Sequence, residues 1–166
     1  MTDPLATYLH DHLAGSHFAI QLLESLHEQY RDEPLGYFAQ ALRADVSQDQ
    51  KTLQSIVERV GEGHPDLTEA AGWFAEKASQ LKLKRDHSDG GLGTFEALET
   101  LTLGIRGKLA LWQALPLIRE FDSRIPANDF QRLAARAEEQ YQRAEAERLK
   151  LARTTFRPEA EETPKR

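Results

Sequence analysis

Four long stretches of this chain place apolar residues every third or fourth position. They are separated by the breakers RDEP, DHSDGGLG and SRIPAND, with GEGHP ending the second stretch. That period is the signature of an amphipathic helix, and no stretch shows the two-residue alternation of a half-buried strand. The spacing predicts long helices over about Leu5–Tyr30, Pro34–Val60, Thr94–Phe121 and Asp129–Arg153. Asp3 and Pro4 make a standard start for the first. A shorter helix is expected over about Leu67–Leu83, where Asp66 and Glu69 form a capping-box pattern. Pro116 predicts a kink late in the third long helix. Short loops would give neighbouring helices in plain up-and-down order. The long second connection instead permits one crossover. The expectation is an all-α, four-helix bundle over residues 1–156, with a short helix in the crossover between the second and third long helices. Residues 157–166 (RPEAEETPKR) read as a disordered tail.

Composition narrows the chemistry. The chain has 166 residues, 40% hydrophobic and 29% charged, which suits one ordinary hydrophobic core. A net charge of -6 offers no broad basic surface, so nucleic acid is not an expected partner. There is no cysteine, which removes disulfides, zinc–thiolate sites, iron–sulfur clusters and thiol nucleophiles. No apolar run approaches the ~20 residues that span a bilayer. The start MTDPLATYL lacks the pattern of a signal peptide, so a cytoplasmic location is expected. Gly90, Gly91 and Gly93 do not follow a strand and do not make a phosphate loop.

In the number and length of its elements and the place of its crossover, the chain resembles the ferritin-like superfamily over roughly residues 5–153. The stretches DHLAGS and LGIRGKLALW also resemble those of an uncharacterised bacterial family of small helical proteins, with no activity attached. The ferritin-like resemblance implies a possible di-iron or di-manganese centre. Two helices of such a centre each supply a Glu, and two supply a Glu-x-x-His pair. The only such pair here is Glu24 to His27, on the first helix. The second helix reads DVSQ (Asp45–Gln48) and the fourth EEQY (Glu138–Tyr141), so the departure falls on the metal ligands themselves.

The first helix carries LHDHLAGSH, three histidines and an aspartate close together. His10 and His12 lie ~200° apart around a helix, and His10 and His17 are separated by ~10 Å of rise, so neither pair can chelate one ion. His12 and His27 point nearer the core and read as hydrogen-bonded packing residues. Ala14, Gly15 and Ser16 are small enough to admit close approach by another helix. Trp73, Phe74 and Leu81 would dock the short helix. Glu96, Glu99, Glu138 and Glu145 flank their stripes and read as solvated faces with local ion pairs.

The strongest anomalies are polar groups that face inward. Asp49 falls within the stripe Phe38, Leu42, Val46, Leu53, Ile56 and Val60, with Asp45 one turn earlier near its edge. Lys108 falls within the stripe Leu98, Leu101, Ile105, Trp112 and Leu115, with Arg106 at an edge. A bare charge there would cost several kcal/mol, so pairing is expected. The predicted buried network comprises Asp11, His12, Asp45, Asp49, Lys108 and Tyr141, its ammonium filling the space that metal ions take in a di-iron bundle. The leading expectation is therefore a non-catalytic structural or interaction protein, a possible homodimer, with no metal, cofactor or catalytic residue. The alternative is a di-iron or di-manganese oxidoreductase or storage protein using Glu24, His27, Asp45, Asp49, Glu99 and Glu138. A further alternative is a small-molecule binder using the polar core.

Overall fold

A computed structural model describes residues 3–61 and 91–158, together with Gly72 and Glu76. Apart from Gly72 and Glu76, the predicted short helix of the second connection, with its docking residues Trp73, Phe74 and Leu81, lies outside these residues, as does most of the predicted tail. The described chain forms α1 (Pro4–Gln29), α2 (Pro34–Val60), α3 (Leu92–Arg119) and α4 (Phe130–Thr155), with no strand among the described residues. The Asp3 carboxylate accepts hydrogen bonds from the backbone N–H groups of Leu5 and Ala6, satisfying orphan donors at the start of α1. Gly61 ends α2 at a φ of 91°, a left-handed value that suits a residue without Cβ. α3 begins at Leu92 rather than Thr94 because Gly91, also left-handed, forms its cap. It continues through Pro116 as far as Arg119.

The helix directions follow from which ends share a core. One apolar cluster joins the end of α1 (Leu23, Leu26, Tyr30) to the starts of α2 (Leu35, Ala39) and α3 (Ala97, Leu98) and the later part of α4 (Ala144). The other joins the start of α1 (Ala6, Leu9) to the ends of α2 (Ile56, Val60) and α3 (Trp112, Leu115) and the start of α4 (Phe130, Ala137). Thus α1 and α2 are antiparallel, α3 and α4 are antiparallel, and α2 runs parallel to α3. The connection from Val60 to Leu92 therefore joins opposite ends of the bundle. No helix among the described residues is long and apolar enough to cross a membrane.

Each cluster is fastened by specific contacts. At one end the Tyr30 hydroxyl meets Thr94 Oγ1 at 2.7 Å in a buried hydrogen bond. Beside it, His27 donates from Nδ1 to the Gly36 carbonyl at 3.0 Å. A Cβ on Gly36 would stand 2.0 Å from the Tyr30 carbonyl oxygen, so only glycine lets the two helices turn this tightly. At the other end Arg124 joins three segments. It pairs with Asp3 and, at 2.7 Å, with Asp122, and it reaches the Val60 carbonyl at 3.4 Å. This guanidinium holds both carboxyls below their ordinary range.

Candidate functional site at the middle of the bundle

The two apolar clusters do not meet. Leu13, Leu53, Leu111 and Ala137 close one of them, and Phe18, Val46, Ile105 and Ala144 close the other. Between them each helix contributes a polar residue where its stripe would carry an apolar one. These are Ser16 on α1, Asp49 on α2, Lys108 on α3 and Gln140 on α4. The α2 stripe Leu42, Val46, Asp49, Leu53, Ile56 shows the substitution clearly, since its neighbours are all buried.

Asp49 is the centre of this layer and is 1% exposed. Its Oδ2 receives the Lys108 ammonium at 2.7 Å and the Gln140 amide N–H at 2.9 Å. Lys108 also donates to Gln140 Oε1, closing a three-membered ring of contacts. Arg136, one turn before Gln140, brings its guanidinium to 3.4 Å from Asp49 Oδ1, an ion pair without hydrogen-bond geometry. The same guanidinium donates to Gln48 at 3.0 Å. Burial pushes the Lys108 ammonium below its ordinary value, and the attraction of Asp49 restores only part of that.

The membership of this network differs from the sequence expectation in instructive ways. Asp49 and Lys108 pair as expected. Asp45 is only half-buried and binds Arg143 instead, because one turn of helix places it at the edge of the stripe. Tyr141 lies under the Arg106 guanidinium, 3.6 Å from ring centre to carbon, while Arg106 pairs with Glu138 at 2.7 Å. The inward position on α4 belongs to its neighbour Gln140, 2% exposed, which continues the Leu133 row at heptad spacing. Asp11 is exposed, and His12 is half-buried with its ring edge-on to Tyr8 at 4.7 Å. Burial lowers the His12 pKa, and the nearby Asp11 charge opposes the shift.

A groove with a volume of about 590 Å³ lies beside the layer, walled by α1, α2 and α3. Its lining includes Tyr8, His12 and Ser16 from α1, and Gly104, Lys108 and Trp112 from α3. Gly15 and Ser16 also line this hollow, and Ser16 Oγ accepts a hydrogen bond from the Gln50 amide of α2 at 2.9 Å. Gly104 and Gly107 of α3 line the same hollow, and a Cβ on Gly104 would meet nothing within 4 Å. Small residues on both helices then leave space.

The ligand set of the di-metal alternative is not assembled. Glu24 pairs with Arg43 at 3.1 Å, Glu99 with Arg148 at 3.2 Å and Glu138 with Arg106 at 2.7 Å, and His27 is held by Gly36. Among the described residues no three His, Asp or Glu side chains are grouped so as to hold a metal ion. The central carboxylate, Asp49, is already engaged by an ammonium. The described residues do not fit a di-metal centre. No family model matches the chain, and neither a curated protein nor a solved structure matches it.

Proposed function

We propose that the chain is a ferritin-like bundle that works without a metal centre, as a non-catalytic structural or interaction protein. The parallel course of α2 and α3, with a connection between opposite ends of the bundle, supports the ferritin-like part of this reading. The observation that carries the rest is the 2.7 Å contact between Lys108 and Asp49 at mid-bundle. A lysine ammonium presents three donors and no acceptor, so it competes with a cation for the same carboxylate. Self-association is part of the proposal, and exposed Leu117 and Phe121 near the end of α3 are its apolar contacts.

Titration of chelator-treated protein with ferrous iron or manganese tests the reading. A tight site would raise the melting temperature, since a ligand at about 100 times its Kd stabilises the native state by about 2.7 kcal/mol. The expected result is no stoichiometric metal by elemental analysis and no upward shift. Two equivalents bound with a clear rise would overturn it.

A further inference from the structure

The network gives Asp49 Oδ2 two donors and Oδ1 the Arg136 charge alone, and it leaves a donor of Lys108 unused beside the groove. Lys108 has three N–H bonds. Two go to Asp49 and Gln140, and the third has no acceptor among the described residues. Trp112, 1% exposed, lines the same groove, and its buried indole N–H has no partner among the described residues. A buried donor left unpaired is costly, and its presence needs an explanation.

The walls say what kind of molecule would supply the acceptor. Leu42, Val46, Leu53, Leu101 and Leu111 give the groove an apolar surface, and its volume falls within the ~300–1,000 Å³ of small-molecule sites. The charge at the floor is also informative. Asp49 faces two cations, Lys108 at 2.7 Å on the groove side and Arg136, off the groove lining, at 3.4 Å, while Asp45 one turn away is paired with Arg143, so Asp49 alone does not neutralise both cations. The other charged group on the lining is Asp11, exposed at the rim, where solvent screens it. His12 adds no charge at neutral pH because burial lowers its pKa. The α3 backbone is open here at some cost. A glycine in a helix is about 1 kcal/mol less favourable than alanine. A Cβ on Gly104 would meet nothing within 4 Å, so packing does not require the glycine.

We propose that this groove binds a small amphipathic carboxylate, with its apolar body along the leucine walls and its carboxylate accepting the free N–H of Lys108. A carboxylate would also relieve the partly uncompensated ammonium. The proposal is separate from the metal question and is tested on metal-free protein.

Isothermal titration with dodecanoate below its micelle concentration tests it, with 1-dodecanol and dodecylamine as comparisons. Saturable binding of one dodecanoate per chain is expected, with dodecanol at least about tenfold weaker, the loss of a hydrogen bond to a charged group. Gly104→Phe fills the groove from an exposed helix position and should abolish binding in a protein that still unfolds cooperatively. Lys108→Met should weaken dodecanoate by about tenfold and dodecanol by less, since only the carboxylate loses a charge-assisted bond. The proposal is overturned by absence of saturable dodecanoate binding, by binding that survives Gly104→Phe, or by dodecanol or dodecylamine binding as tightly as dodecanoate.

Discussion

Lys108→Met removes the cation from a carboxylate that is 1% exposed. Stranding one member of a buried ion pair costs about 3–5 kcal/mol. Two features place this case at the lower end. Asp49 keeps the Gln140 N–H at 2.9 Å and Arg136 at 3.4 Å. The lysine side chain is 15% exposed on the groove side, so water can follow the methionine in. A loss of about 3 kcal/mol is expected. For a chain of this length each kcal/mol moves the melting temperature by about 2–4 °C, so the variant should melt about 6–12 °C lower. Adding Asp49→Leu removes the stranded charge and should recover part of the loss. The coupling between the two sites should be about 1–3 kcal/mol. The double variant still orphans Gln140 at both ends. Adding Gln140→Leu should therefore bring stability back to about the parent level or above, since replacing a whole buried ion-pair group by well-packed apolar residues is often neutral or stabilising. Urea unfolding at neutral pH, extrapolated linearly to water, measures all four proteins. A loss under about 0.5 kcal/mol for Lys108→Met, as for an exposed position, would refute the buried pair. So would a double variant no more stable than the single one.

Two glycines in helices should respond with opposite signs. Gly36→Ala drives a Cβ to 2.0 Å from the Tyr30 carbonyl oxygen and should destabilise by at least about 1–3 kcal/mol, whereas Gly104→Ala enters open space and should stabilise by about 0.5–1 kcal/mol. Thermal melts of the two variants check this, and a stabilising Gly36→Ala would contradict the tight turn. The pH dependence of stability should carry the mark of His12. Its folded-state pKa lies below the ordinary 6.5, so the unfolded chain takes up its proton first on acidification. Stability should fall as pH drops below about 6.5 toward the folded value. His12→Gln should flatten that part of the curve, measured by urea unfolding at a series of pH values, and an unchanged slope would remove His12 as its source.

The helices were legible because their periodicity is strong and their breakers are dense; α2 occupies the predicted Pro34–Val60. The mid-bundle pair was legible for a related reason: Asp49 and Lys108 interrupt otherwise apolar stripes. Gln140 and Arg136 were harder to see. An uncharged Gln on a helix rich in Gln, Glu and Arg is a weak anomaly, and the adjacent Tyr141 offers a more conspicuous hydroxyl. Arg136 stands off the stripe and reaches inward only through the length of its side chain, which a helical wheel does not represent. The groove was not legible at all. It depends on how far apart α1 and α3 pack, which the periodicity of each helix taken singly does not fix.

A single polar layer between two apolar clusters also bears on why the bundle has one register. Leucine-rich stripes are interchangeable, so α2 could slide against α3 by a heptad and still bury apolar side chains. Such a slide would set Asp49 against leucine and leave Lys108 without its carboxylate, at a cost of several kcal/mol for each stranded charge. The same holds for α4, because Gln140 must present its N–H to Asp49 and its carbonyl to Lys108 together. One buried polar position is a known means of fixing helix register at some expense in stability. Here the hydrogen-bonded part of the layer draws on three helices, and small residues beside it on α1 and α3 line the groove. The device that selects the register and the hollow that can receive a ligand thus share Lys108. Occupancy of the groove should in consequence be coupled to the stability of the layer.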